Sequence, residues 1–152
     1  MKLLFFETYF ETIKNSKDST IFQSILAETD NKKIDILDKG KRSCGLHVSG
    51  ILIWFNLIKG NHATVSGTIK DMEESGWVKI NKPKPGCVIH WEEWSQGGTP
   101  SEHLGFYIGD EAAISNNWKT KTPQKHHWTY EDKRGIKSLY WHSKLENKYF
   151  ND

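Results

Sequence analysis

Cysteine is almost absent from this chain of 152 residues, which holds two copies, Cys44 and Cys87. Two thiols cannot build a disulfide framework, and one bridge between them is allowed but not demanded. Charge of one sign is missing as well. The 21 basic and 19 acidic residues are mixed along the chain and leave a net charge of +2. So even a balance lacks the basic stripe of a nucleic-acid binder. Long apolar runs are also lacking: the longest, residues 50–58, is far too short to span a bilayer. The opening "MKLLFFETYFETIKNSKD" is interrupted by Glu7 and Glu11 and contains no small-residue cleavage site, so it does not read as a signal peptide. The expectation is a soluble protein made in the cytoplasm without a secretion signal, able to act outside it after release. No internal repeat and no low-complexity tract is present.

Tryptophan, by contrast, is plentiful. Five of the seven copies fall between Trp77 and Trp128, as a packed core or an aromatic-walled groove would require. The length suits a single domain. Residues 1–42 are polar-rich and read as a helical extension in two pieces. The second, "DSTIFQSILAET", has Asp18 or Ser19 as a cap and Ile21, Phe22, Ile25 and Leu26 at helical spacing. This extension suits a lid, a docking segment or a packing element equally. A central helix is expected from Ser43, its cap, to Gly60, with Cys44, Val48, Ile51, Phe55 and Ile58 along one stripe. Leu46, Trp54 and Leu57 make its other sides apolar. A further helix, "ATVSGTIKDMEESG", closes at Gly76.

Beyond Gly76 the periodicity changes. "WVKI", "CVIHW", "HLGFYIG", "AAISNN" and "KSLYWH" are short, aromatic and β-branched, as strands are. "NKPKPG" and "SQGGTPSE" read as loops. Helices first and strands afterwards predict an α+β fold with an antiparallel sheet, the core spanning 43–142 and a tail at 143–152.

Cys44 stands where a helix begins. The free N–H groups and positive dipole end there favour a thiolate, the reactive form of cysteine. The plainer alternative is a small buried hydrophobe on an apolar stripe. A nucleophile needs a base, and among seven histidines His103 opens a strand directly after a Gly/Pro loop, where it is fixed yet accessible. His47 reads as a helix-surface residue. Zinc is considered because Cys44-x-x-His47 and Cys87-x-x-His90 are both present. Residues three apart on a strand point to opposite faces, however, so the second pair defeats a four-ligand site.

"KPKPGCVIHWEEW…SEHLGFYIGDEAAISNN", downstream of a cysteine at the start of a core helix, resembles the NlpC-type cysteine peptidases and the related CHAP amidases. The resemblance covers about residues 43–142 and implies a papain-like fold in which the cysteine helix packs on an antiparallel sheet. It also implies hydrolysis of amide bonds in peptidoglycan stem peptides, with peptide or peptidoglycan as the partner and neither cofactor nor metal. Carried over, Cys44 attacks the carbonyl, His103 moves the proton, and the Cys44 N–H helps hold the oxyanion. The family's third residue falls on Ser115 or Asn116. Asn116 is the expected orienter, because its side-chain carbonyl can accept a ring N–H of His103, with Ser115 and His126 as alternatives.

The flanks depart from the family. Ser43-Cys44-Gly45-Leu46 replaces Asp-Cys-Ser-Gly, and Cys87 replaces the Asp that usually begins the second strand. Tyr9 lies too far upstream to count as the family's oxyanion tyrosine. Gly105 suits close approach or simple packing, and Trp91 and Trp94 suit either a groove wall or the core. Two other functions use the same residues: an acyltransferase or deamidase with the same triad, and a papain-like binding module that has lost catalysis.

Overall fold

The structure is a computed structural model and describes residues 1–94 and 100–151. It is α+β. In chain order, helix α1 (Phe5–Asn15) precedes a hairpin of β1 (Leu26–Thr29) and β2 (Lys32–Asp35). Helices α2 (Cys44–Trp54) and α3 (Val65–Glu74) follow. The strands then run β3 (Val78–Ile80), β4 (Val88–Trp94), β5 (Ser101–Gly109), β6 (Ala112–Asn117), β7 (Thr122–His127) and β8 (Ile136–Trp141). These last six form one antiparallel sheet in the order β3-β8-β4-β5-β6-β7.

The hairpin corrects the expected second helix at residues 18–29. Asp30 and Asn31 both take positive φ, 49° and 59°, the backbone of a tight primed turn that pairs strands. Of the apolar residues assigned to that helix, Phe22 is buried while Ile21 and Leu26 stay exposed, so no continuous stripe reaches the core. Asp35 then fixes the segment by accepting Ser24 Oγ–H and the N–H groups of Ile25, Leu37 and Lys39.

Helix α2 starts where expected and ends earlier, at Trp54 rather than Gly60. Asn56 sits in the left-handed region at φ 54°. The Asn56 N–H reaches the Ile53 carbonyl and the Leu57 N–H reaches Leu52, which closes the helix in a Schellman motif. Trp54 is exposed, against the expectation of an apolar wall on every side. Ser43 precedes the helix without capping it. Its ψ of 8° is not the extended cap conformation, and its hydroxyl is buried without a partner. Helix α3 ends as expected, with Gly76 at φ 98° and the Trp77 N–H on the Met72 carbonyl.

Strand β7, "TPQKHH", was hidden by its composition: it lacks β-branched runs and carries Pro123, which only an edge strand tolerates. Residues 95–99 of the "SQGGTPSE" loop lie outside the described residues.

The sheet has two differently used faces. Cross-strand partners share a face, so the pairings Val88↔Phe106↔Ile114 define one of them. Helices α1 and α2 cover it: the His47 ring meets Phe106 edge-on at 5.5 Å, and Tyr9 meets Phe106 at 6.3 Å. The other face carries Trp91, His103, Gly105, Ser115 and His126. The turn that carries Trp128 and Tyr130 packs on it through Trp91, Ser115 and His126. Among the described residues no helix is long and apolar enough to cross a membrane.

Candidate active site

Cys44 opens α2, and its thiol lies near the backbone N–H of Leu104, the residue directly after His103, which acts to lower its pKa. A gap in the sheet makes this possible. The β5–β6 ladder begins at Gly105↔Ser115 and does not extend to Leu104. Helix α2 packs on β5 and β6, and its first residue carries the sulfur to the strand segment that holds His103. Gly45 lets the helix come close: a Cβ there would lie 2.9 Å from the Thr64 carbonyl at the start of α3.

Electrostatics at the sulfur run against the simplest expectation. Burial raises the thiol pKa above its ordinary value. The N–H groups of Leu104, Gly45 and Cys44 and the charge of Arg134 oppose this without reversing it. In the free protein Cys44 is therefore a neutral thiol, not the thiolate that its position at a helix start suggested. Cys87 is fully buried at the head of β4, and burial pushes its thiol to about 11. Both cysteines are free.

His103 is half-buried, with its ring against Trp91 at a centroid distance of 5.3 Å. Its Nε2 lies 2.9 Å from Ser115 Oγ. Burial, then the nearby Arg134, His126 and His47, hold its pKa well below the usual imidazole value, so it is neutral at physiological pH. Ser115 has two further partners, His126 Nε2 at 2.6 Å and Tyr130 Oη at 3.2 Å. The Tyr130 ring stacks on His126 at 4.1 Å, and Tyr130, Glu131 and Asp132 all take positive φ to hold it there.

Asn116, the expected orienter, is not part of this cluster. It is one residue beyond Ser115 on β6 and so points to the opposite face, where its Nδ2 donates to the Gly40 carbonyl at 2.7 Å. The place beside His103 belongs to Ser115. His47 is not on the helix surface either. It is fully buried between Phe22 and Phe106, with Nε2 2.9 Å from Ser16 Oγ. Burial lowers its pKa to about 3. Among the described residues no group of three His, Cys, Asp or Glu side chains is placed to hold a metal ion.

Gly105 serves packing. A Cβ there would lie 2.6 Å from Ser115 Cβ and 2.9 Å from Trp91 Cζ3, so its absence allows the indole to cover the strand behind His103. Trp91 is fully buried and donates from Nε1 to the Trp128 carbonyl at 2.8 Å. Trp94 is the outer residue of the pair. With His126, His127, Tyr130, Glu131 and Lys133 it lines a cavity of about 220 Å³ beside the cluster. Arg134, which sequence reading missed, donates to the Glu92 and Ser101 carbonyls and lies over the Trp94 and Tyr130 rings. The sequence offers His126 only as an alternative and carries no local signal for Tyr130. The period-2 spacing of Ala113 and Ser115 was the one available signal for the face they share.

No protein-family model matches the chain, and no curated protein matches it. The chemistry of the site rests on its own geometry.

Proposed function

We propose that this protein is a papain-like cysteine amidohydrolase, with Cys44 as nucleophile, His103 as general base and acid, and Ser115 as the group that orients His103. The observation that supports the reading is placement. The Cys44 thiol lies near enough to the backbone N–H of Leu104, the residue after His103, for that N–H to hold its pKa down, and Ser115 Oγ lies 2.9 Å from His103 Nε2. Both reacting groups start neutral, so His103 acts as a base during attack rather than as one half of a preformed ion pair.

In the first half-reaction Sγ bonds to the amide carbonyl carbon while His103 takes the thiol proton. The C–N bond then breaks, and His103 returns that proton to the leaving amine, which leaves a thioester on Cys44. In the second, His103 takes a proton from water, whose oxygen attacks the thioester; the acid product departs and the thiol is restored. The N–H of Cys44 is available for the developing oxyanion. The substrate class is an amide within a peptide, and peptidoglycan stem peptides are the source that the family resemblance suggests.

The raised pKa of Cys44 favours a second reading, a binding module on the same scaffold. Incubating purified cell wall with the protein and assaying newly freed amines separates the two. The hydrolase releases amines and Cys44→Ala does not. A module binds wall equally well with or without the thiol and releases none. If the wall is left intact while small amides pass their acyl groups to added amines, the protein is a transferase instead.

A further inference from the structure

We propose that His126 is a positioning residue, acting through Ser115 to keep the His103 proton on Nε2 and leave Nδ1 as the basic nitrogen. The proposal deepens the hydrolase reading and relies on it only for the catalytic consequence. The argument begins at a carbonyl. His126 Nδ1 lies 2.7 Å from the backbone oxygen of His127, which can only accept, so Nδ1 carries the hydrogen. The Nε2 of a neutral His126 is then a lone pair, and Ser115 Oγ, 2.6 Å away, must donate to it.

A serine hydroxyl has one hydrogen and accepts two. The hydrogen of Ser115 is committed to His126, so its other contacts are accepted bonds, from His103 Nε2–H at 2.9 Å and from Tyr130 O–H at 3.2 Å. All three places on the hydroxyl are filled, and His103 is left with its lone pair on Nδ1. The environment keeps His126 neutral, as this chain of donors requires. Burial, first, and the charge of Arg134 lower its pKa to about 4, against the opposing bond to the His127 carbonyl. A doubly protonated His126 would instead donate to Ser115. That would release the serine hydrogen toward His103 and favour the wrong tautomer.

Long-range proton–nitrogen NMR correlations of isotope-labelled imidazole rings test this directly. The wild-type protein should show His103 protonated at Nε2 and His126 at Nδ1. His126→Gln, whose side-chain oxygen can reach the Nε2 position, should preserve the His103 tautomer, whereas His126→Leu should shift it toward Nδ1–H. If amide hydrolysis is found, His126→Leu should lower kcat about 10- to 100-fold with little change in KM, and His126→Gln should restore most of it. A wild-type His103 protonated at Nδ1 overturns the proposal, and so does an unchanged tautomer in a folded His126→Leu. Should that variant fail to fold, the wild-type spectrum still decides. The tautomers are read without turnover: correct tautomers with an inert Cys44 would sink the hydrolase reading alone, and wrong tautomers with active hydrolysis would sink only this one.

Discussion

Cys44 shows how two local forces compete at one residue. A helix N-terminus favours a thiolate, but its effect fades within the first turn, while burial acts on the whole charged sulfur. Here burial prevails, and the thiol pKa lies above its ordinary value. Alkylation by iodoacetamide should therefore be slow at about pH 6 and rise only above the ordinary thiol range of about 8.5. Cys87, fully buried with its thiol pushed to about 11, should stay unlabelled until the chain unfolds. Mass spectrometry of labelled peptides across a pH series checks both statements. Rapid modification of Cys44 at about pH 6 would mean that the helix end wins after all. Residue identity was readable here in advance: a thiol at a helix start was legible, and so was a histidine near a strand start, although β5 begins two residues earlier at Ser101. The state of the thiol was not, because desolvation is set by atoms distant in sequence.

At the scale of elements, the first turn of α2 matters most, because its approach to β5 and to the start of α3 fixes the sulfur. Gly45 sits at the closest point of that approach. Thr64 caps α3 by accepting the Gly67 N–H at 3.0 Å, so its backbone is held and cannot move aside easily. Gly45→Ala forces the two helix starts apart. It is expected to lower unfolding free energy by about 1–3 kcal/mol, measured by urea titration, and to slow any Cys44-dependent reaction more than that loss explains. The same scale explains the misread N-terminal region. Helical spacing of Ile21, Phe22, Ile25 and Leu26 was real, but Leu26–Thr29 pair with Lys32–Asp35 across a turn of two left-handed residues at 30–31, so the end of that stretch is strand rather than helix. Helix α1 belongs to the core, since Tyr9 and Ile13 are fully buried and Tyr9 Oη–H donates to the Gly86 carbonyl. Of the three roles open to the N-terminal region, packing is the one α1 fulfils.

For the whole molecule, the consequence of these placements is acid sensitivity. His47, His103 and His126 are all held below the ordinary imidazole value of 6.5, chiefly by burial. Each is neutral when folded and takes up a proton when the chain unfolds. Stability is therefore fully present above pH 6.5 and is lost as pH falls toward the folded values, about 4 for His126 and about 3 for His47. Asp71 continues the loss below 3.8. Burial raises its pKa, but bonds from His62, the Lys59 and Gly60 N–H groups and Ser75 outweigh this and hold it at about 2. Unfolding should accordingly begin in the imidazole range rather than the carboxylate range. His47→Gln, which keeps a hydrogen-bonding group toward Ser16, should reduce the proton uptake on unfolding between about pH 4 and pH 6 by about one. Denaturant titrations across that range measure it, and an unchanged uptake would show that His47 is already charged in the fold.

The sequence alone determined the α+β class, the C-terminal end of α3 at Gly76, five of the six strands in the main sheet, and Cys44 and His103 as the residues to watch. Those features depend on period, capping and turn chemistry, which act between residues close in the chain. Tertiary structure decided whether Ser115 or Asn116 meets His103, because a strand alternates its faces and only the pairing register says which parity turns inward. It also decided that His126, Tyr130 and Arg134 converge on Ser115 and the thiol from the 122–134 segment, and that burial outweighs the helix end at Cys44. Register and desolvation arise from contacts between distant segments, and no local pattern contains them.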